Sequence, residues 1–472
     1  MTRNSPVHRV AVVGAGAAGA LTTVHLLNRA AEHGVALDMT LIDPSRRSGP
    51  GLAYGTRERH HLLNVPASRM SALPDDAGHF VRWLTARRPS AVPEDFVPRR
   101  DYGQYLAEVL EHAARTSRSG RPRRLHAKVV GVHREAREMT LTQADGARLR
   151  ADAAVLALGN PVPAAQWAGD ELRSSPRFVA DPWAPGALDT VEDTGDVLLV
   201  GTGLTMADVA VTLAGPGRVL HAVSRHGLVP HPHLAPPAPP AAPCPLDGAL
   251  GLDVLRRDIR RHLSACRREH GDWRPGMDGL RPLTADLWQQ LTEEDRTRFL
   301  QEDLRSWEVH RHRLAPPTAA RLHALRGRGR LRVAAAEIVG AAVDRAAVRV
   351  RLSDGRQLQV TAVVNCTGAR TDLHRAGDPL VDCLLRDGTA RPGPAGQGLD
   401  TAGDGRLVPA TGPAAPLWTI GAVRRGNLLE TTAIPEIRGQ AAQVADSILN
   451  SLAPRTGSTS AGRGVVPVTS ST

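Results

Sequence analysis

Two short apolar runs, each followed by a glycine turn and a helical pattern, constrain this chain more than any other feature. The first reads Val10-Ala11-Val12-Val13-Gly14-Ala15-Gly16-Ala17-Ala18-Gly19. The second reads Val197-Leu198-Leu199-Val200-Gly201-Thr202-Gly203-Leu204-Thr205-Met206. An unbroken apolar run is the pattern of a buried parallel strand. The first glycine after it permits a tight turn, the second lets a pyrophosphate approach the backbone, and the third lets the helix pack close to the strand. The helix N-terminus then offers free N–H groups and the positive end of its dipole to the phosphates. One such site can hold FAD and the other a nicotinamide cofactor, and a chain that holds both can move a hydride between them.

The strands that follow the two turns make the sites unequal. Met39-Thr40-Leu41-Ile42-Asp43 ends in an acid, close to the spacing of about 20 residues at which a carboxylate binds a ribose hydroxyl. Val219-Leu220-His221-Ala222-Val223 ends instead in Ser224-Arg225-His226. Arg225 stands where an acid would stand, and its paired N–H donors suit a 2′-phosphate. The first turn is therefore assigned to FAD through Gly14, Ala15, Gly16, Ala18, Gly19 and Asp43. The second is assigned to NADPH, with NADH as the second candidate, through Gly201, Thr202, Gly203, Leu204, Thr205, Ser224 and Arg225. Met206 replaces the third small residue of the second turn and predicts a looser helix–strand crossing.

At 472 residues, a scale of about 150 residues per domain gives roughly three domains. Alternating strand and helix patterns define the class as α/β, with two Rossmann-like dinucleotide-binding domains and a helical insertion. The expected division is a first part of the FAD domain over 1–190, an NAD(P)H domain over 191–345, and a completing part of the FAD domain over 346–452. The Pro-rich stretch 230–245 precludes a regular element. Residues 252–325 read as a helical insertion carrying Trp273, Trp288 and Trp307, expected to form a lid over a substrate. The tail 453–472 reads as disordered.

The charge of +11 is spread along the chain, and no basic helix with interleaved aromatics accompanies it. Anionic cofactors and an anionic small-molecule substrate fit this charge better than nucleic acid does. No apolar run reaches the length of about 18 that a membrane span needs. A strand pattern near the N-terminus takes the place of a signal peptide, so a soluble cytoplasmic protein is expected. Cys244, Cys266, Cys366 and Cys383 are widely spaced. They form no Cys-x-x-Cys pair, and no local metal-ligand spacing is present, so no metal is expected. His310-Arg311-His312-Arg313 suggests a metal or phosphate site, but histidines at i and i+2 do not share a helix face, which favours a structural segment.

Several further stretches stand out: Gly51-Leu52-Ala53-Tyr54-Gly55, Leu62-Leu63-Asn64-Val65-Pro66-Ala67, Pro98-Arg99-Arg100-Asp101-Tyr102-Gly103-Gln104-Tyr105-Leu106, Ser224-Arg225-His226-Gly227 and Leu429-Glu430-Thr431-Thr432-Ala433-Ile434-Pro435. With these the chain resembles the FAD/NAD(P)-binding monooxygenase-like family that includes flavin-dependent urate hydroxylase and aspartate N-monooxygenase, within the two-dinucleotide-binding-domain flavoproteins. The resemblance extends to about Leu452. It implies that Gly159, Thr367 and Gly368 lie where the chain crosses between domains beside the flavin. It also implies that Gly421, Thr432 and Ala433 approach the isoalloxazine ring.

The reaction implied by the resemblance passes a hydride from NADPH to FAD. Reduced flavin then meets dioxygen, and a C4a-hydroperoxide hydroxylates a small nitrogen-containing compound, whether an amine, an amino acid or a urate-like purine. Asn64, Arg69, Arg100 and Tyr102 are the candidates for holding that substrate, since an amide can donate and accept and two arginines can clamp an anion. Structural roles also fit all four: Asn64 as a turn cap or FAD contact, the arginines in ion pairs, Tyr102 in packing. A reductase passing electrons to a small acceptor or partner protein is the alternative function, and a flavin-binding sensor a third. The chain departs from the disulfide reductases in lacking a cysteine pair, and from the Baeyer–Villiger enzymes in lacking their Phe/Gly/His/Trp signature.

Overall fold

The computed structural model describes residues 6–45, 48–135, 138–242, 251–369 and 371–453. Two five-stranded parallel sheets form its centre. Across the first lie Leu417–Thr419, Ala153–Leu156, Val7–Val13, Ala36–Ile42 and Arg123–Leu125. Across the second lie Leu331–Ala335, Leu220–Ser224, Val197–Val200, Ala362–Asn365 and Phe178–Val179. The inner strands are covered on both faces, which is why they read as continuous apolar runs.

Each parallel sheet carries a three-stranded antiparallel sheet on one side. Val129–Glu135, Glu138–Gln143 and Arg148–Ala151 pack Val132, Met139 and Leu141 into one core with Ala11, Val13 and Leu156 of the first sheet. Ile338–Val343, Val348–Leu352 and Gln357–Val360 pack Val348, Val350 and Val360 against Leu198, Val223 and Val363 of the second. On the other face of the first sheet the helix Ala17–Arg29 lies against the last helix, Ile434–Leu452. Ile437, Ala441, Val444, Ala445 and Ile448 recur at helical spacing and share a core with Leu21, Val24 and Leu27.

The sheet pairings cross both divisions expected from the sequence. Phe178–Val179 precedes residue 190 and Ala362–Asn365 follows residue 345, yet both strands join the second sheet. Phe178–Val179 is only two residues long, too short to leave a pattern of its own. The second antiparallel sheet then returns the chain to the strand Ala362–Asn365, so the second unit extends on both sides of 191–345. Within the insertion the helices Leu252–His270, Thr284–Gln290 and Glu293–Glu302 bury Leu255, Trp288 and Phe299 in a small core that they share with Leu429. Residues 243–250, part of the Pro-rich stretch and including Cys244, and 454–472 of the tail lie outside the described residues. Among the described residues no helix is long and apolar enough to cross a membrane.

Candidate functional site

The two glycine turns are built alike. Gly14 and Gly201 both take left-handed φ values, 101° and 112°. Gly14 N–H donates to the Ile42 carbonyl (2.8 Å) and Gly201 N–H to that of Val223 (2.7 Å). Each turn also rests on the backbone just after the neighbouring strand. A Cβ on Gly14 would lie 2.1 Å from the Ala157 carbonyl oxygen, and one on Gly201 2.2 Å from that of Cys366. Only a residue with no side chain fits either place.

Beyond that point the turns diverge. A Cβ on Gly19 would lie 1.8 Å from the Gly14 carbonyl oxygen, so the first helix is drawn tightly onto its turn. Met206 at the matching place is fully buried in the core of the second unit. Asp43 Oδ2 accepts from the Ala15 N–H at 2.7 Å, which puts the acid beside the first turn. At the second turn Thr202 Oγ1 and Ser224 Oγ are 2.8 Å apart. Arg225 is exposed at the end of the strand Leu220–Ser224, with no hydrogen-bond or ion-pair partner among the described residues. Arg305 of the insertion reaches the same turn, donating to the Leu228 carbonyl (2.7 Å) next to Thr202.

A pocket lies where the first unit, the insertion and the start of the last helix meet. Asn64, Val65, Pro66 and Arg69 form one wall; Asp278, Arg281, Trp307, Arg311 and Arg313 come from the insertion; Thr431, Thr432 and Ala433 complete it. Ala433 is the N-cap of Ile434–Leu452, so the positive dipole end of a 19-residue helix faces this space. The helix start is tied in place through Gln440, which accepts from the Gly421 N–H (3.0 Å) and donates to the Thr431 carbonyl (3.3 Å). Thr431 Oγ1 donates to the Gly421 carbonyl (2.6 Å).

The charges in this pocket follow a simple order. Arg311 holds Glu430 through two bonds of 2.9 and 2.5 Å. Arg281 holds Glu436 at 2.7 and 2.8 Å. Arg313 pairs with Asp278, and Arg425 pairs with Glu308 at 3.2 Å. Each of the four lining carboxylates thus has an arginine. Arg69, the fifth arginine on the lining, has no carboxylate or hydrogen-bond partner among the described residues. Burial lowers its pKa, which means that its charge is incompletely compensated.

The loop that carries Asn64 and Arg69 is fastened to the second unit. His233 Nε2–H donates to the Asn64 carbonyl at 2.9 Å. Next to it His61 Nε2 lies 2.8 Å from Thr212 Oγ1, and Arg99 pairs with the buried Asp208 at 2.8 Å. The structure therefore brings two of the four substrate-binding candidates, Asn64 and Arg69, to the pocket and leaves two elsewhere. Tyr102 is fully buried in the core of the first unit, in edge contact with Tyr54 and Phe80, because its helix turns that face inward. Arg100, on a neighbouring face of the same helix, contacts Asp101 and the Arg57 carbonyl and does not line the pocket. Gly159, Gly368 and Gly421 all take left-handed φ values, and Thr367 Oγ1 donates to Asn365 Oδ1 (2.7 Å).

Sequence reasoning missed most of the insertion's share of this wall. Arg311 and Arg313 were within reach, since they sit in a conspicuous His-Arg-His-Arg run. Both arginines of that run are ion-paired at the pocket. Asp278, Arg281 and Glu436 stand in no local pattern, and their pairing is purely a product of the fold.

This architecture is two parallel sheets, each with a glycine turn of the same design, in the manner of two Rossmann-like units. Residues 11–161 match a family model described as FAD-NAD(P)-binding. A search of curated proteins finds no match. Among solved structures the chain is similar to L-lysine 6-monooxygenase from Pseudomonas syringae, with 16% identity, 95% of this chain and 100% of that one covered, and a TM-score of 0.65. It is similar to the FAD-bound cadaverine monooxygenase DfoA of the desferrioxamine pathway from Erwinia amylovora, with 12% identity, 99% and 100% coverage and a TM-score of 0.64. A third is the ornithine N-hydroxylase KtzI from Kutzneria sp. 744, in a structure with reduced FAD, NADP+ and L-ornithine, with 15% identity, 94% and 100% coverage and a TM-score of 0.61. At these identities the likeness is one of fold.

Proposed function

We propose that this protein is a single-component, FAD- and NADPH-dependent monooxygenase that hydroxylates a nitrogen of a small amino acid. The observation that carries the reading is the pocket at the start of the last helix, in which every carboxylate is paired and Arg69 is not. Such a pocket accepts an anion without breaking an existing ion pair. A plain diamine would find no free carboxylate there, whereas an amino acid presents its own carboxylate to Arg69. The names of the similar structures, which act on lysine, ornithine and cadaverine, support an amine or amino-acid substrate.

The residues fit the two cofactors. The first turn, Gly14, Ala15, Gly16, Ala18 and Gly19, leaves a cradle that a Cβ would close, and Asp43 lies beside it to receive a ribose hydroxyl. The second turn, Gly201, Thr202, Gly203, Leu204 and Thr205, has Ser224 at its edge and the free Arg225 for a 2′-phosphate. The positive dipole end of the last helix, with Thr432 and Ala433 at its start, suits the electron-rich edge of a flavin. Gly159, Thr367, Gly368 and Gly421 would supply the close backbone approaches around it. When bound, FAD would supply the redox chemistry that couples NADPH oxidation to dioxygen.

The balance of the reaction is one amine, one NADPH, one proton and one dioxygen giving one hydroxylamine, one NADP+ and one water. The protein's part is to hold the amine. Arg69 binds the substrate carboxylate, Asn64 offers an amide to its other polar groups, and the paired wall of Arg281, Arg311 and Arg313 keeps its charges to itself. A neutral amine is the form that can attack oxygen, and the lining has no unpaired carboxylate to hold the ammonium form. The test is NADPH consumption by the FAD-loaded protein over amino acids, diamines and purines, with products identified by mass spectrometry. An amino acid should accelerate consumption and yield its N-hydroxy product. Failure of every compound to accelerate it overturns the reading.

A further inference from the structure

His133, Cys383 and Asp387 are remote in sequence and none lines the pocket. The strand Val129–Glu135 turns Val132 into the core and, by alternation, His133 outward. Against it lies the helix Pro379–Arg386, whose Leu380, Val381 and Leu384 share that core. Cys383 and the C-cap Asp387 stand four apart on one face of this helix and meet the strand. His133 Nδ1 is 2.8 Å from Asp387 Oδ2. Cys383 Sγ is 3.6 Å from the same Oδ2 and 3.8 Å from His133 Nε2. The three donor atoms lie within 4.8 Å of one another.

From this arrangement we propose that His133, Cys383 and Asp387 form a binding site for a zinc-class divalent cation. Thiolate, imidazole and carboxylate are the ligands this class of ion takes in tetrahedral sites. Bond lengths of about 2.0–2.3 Å place tetrahedral ligand atoms roughly 3.3–3.7 Å apart. The sulfur–oxygen separation already meets this, and the imidazole–carboxylate contact has to open by roughly half an ångström. The exposed side leaves the fourth position to water.

A second observation concerns the space over these groups. Gly131 shares the outward face of the strand with His133. It is not among the glycines of left-handed φ, so its backbone conformation does not call for glycine, although the strand pairing shifts register between Val129 and Gly131. A Cβ there would stand 3.3 Å from His133 Nε2 and 3.4 Å from Cys383 Sγ. The missing side chain leaves the imidazole and thiol free to close on an ion.

Binding replaces the Cys383 S–H bond by a sulfur–metal bond and releases that proton to solvent, without any change of oxidation state. Two anionic ligands then neutralise the dication. Because the thiol has to lose its proton to bind, affinity should fall as pH falls.

The test uses untagged, FAD-loaded full-length protein, stripped with chelator and dialysed against Zn2+. The expected result is one zinc per chain. C383S, H133Q and D387N should each weaken binding by more than the roughly tenfold that loss of an outer-shell partner causes, and G131A should weaken it as well. Co2+ should give intense absorption bands to the red of the flavin, lost in C383S. Flavin content and melting temperature of the metal-free variants should match the parent; D387N, at an exposed position, keeps the test valid if C383S folds poorly. Equal zinc retention by the parent and D387N, or absence of zinc from the parent, overturns the proposal.

Discussion

Arg311 and Glu430 join the helical insertion to the start of the last helix through two hydrogen bonds, 2.9 and 2.5 Å long, with both side chains almost entirely buried. Burial alone would push the Glu430 carboxyl up. Arg311 reverses this and holds it below the ordinary glutamate range. A depressed carboxyl stabilises the fold above its unfolded pKa, and that contribution disappears as pH falls through the folded value. Arg311→Met leaves Glu430 buried without its cation, with only the Trp307 Nε1–H donor (3.0 Å) remaining, at a cost of about 3–5 kcal/mol. Thermal unfolding should show a clearly lowered Tm, and Arg311→Met paired with Glu430→Leu should recover much of it.

Arg69 should behave in the opposite way. It has no partner to strand, so Arg69→Ala is expected to leave Tm within about 0.5 kcal/mol equivalent of the parent. Removing its charge-assisted bond to a substrate carboxylate should raise KM for an amino acid by an order of magnitude or more, about 1.5–3 kcal/mol. Arg69→Lys should recover part of this. Steady-state kinetics on the preferred amino acid and on its decarboxylated amine separates the roles: the amine should be indifferent to the change.

The glycines of the two turns should not tolerate substitution equally. Gly19→Ala places a methyl 1.8 Å from the Gly14 carbonyl oxygen, and the backbone on both sides has to move. Gly203→Ala meets nothing closer than the Arg305 guanidinium, 3.8 Å away. Flavin content after purification should collapse in Gly19→Ala and stay near the parent level in Gly203→Ala, where only the KM for NADPH rises.

This difference shows what a sequence can and cannot reveal. The strands, the turns and Asp43 were legible because the signal is local: an apolar run, a glycine spacing, an acid at the next strand end. Met206 could be seen to break the pattern, but only the fold shows it buried in the space behind the second turn. Tyr102 and Arg100 sit in a conspicuous motif, yet helical geometry sends one to the core and the other to the surface. The pocket's ion pairs, such as Arg281 with Glu436, join residues far apart in the chain. Their pairing depends on how the insertion docks, and no local pattern encodes that. The place of Phe178–Val179 in the second sheet is hidden for the same reason, since it rests on tertiary pairing alone.

Two histidines at the junction of the units predict an acid-sensitive contact. Burial, with Arg99 nearby, pushes His61 down to about 4. Burial, with Arg313 nearby, does the same to His233. Both folded values lie below the ordinary histidine pKa of about 6.5. The folded state therefore resists protonation, so stability is fully present above about pH 6.5 and declines as pH falls towards 4. The loss is bounded at about 3 kcal/mol for each buried histidine, less what partial solvent screening removes. Melting curves from about pH 7 to 5 should show this decline, and His61→Gln should flatten part of it.

The central claim is that electrons from NADPH meet dioxygen in this protein and place one oxygen atom on a substrate nitrogen. The most direct measurement is a turnover experiment under dioxygen labelled with the heavy oxygen isotope, with product mass and NADPH consumption read together. The account predicts one labelled oxygen in an N-hydroxy amino acid and close to one product per NADPH. An unlabelled product, or NADPH oxidation that ends only in hydrogen peroxide with every amino acid and amine, would contradict it.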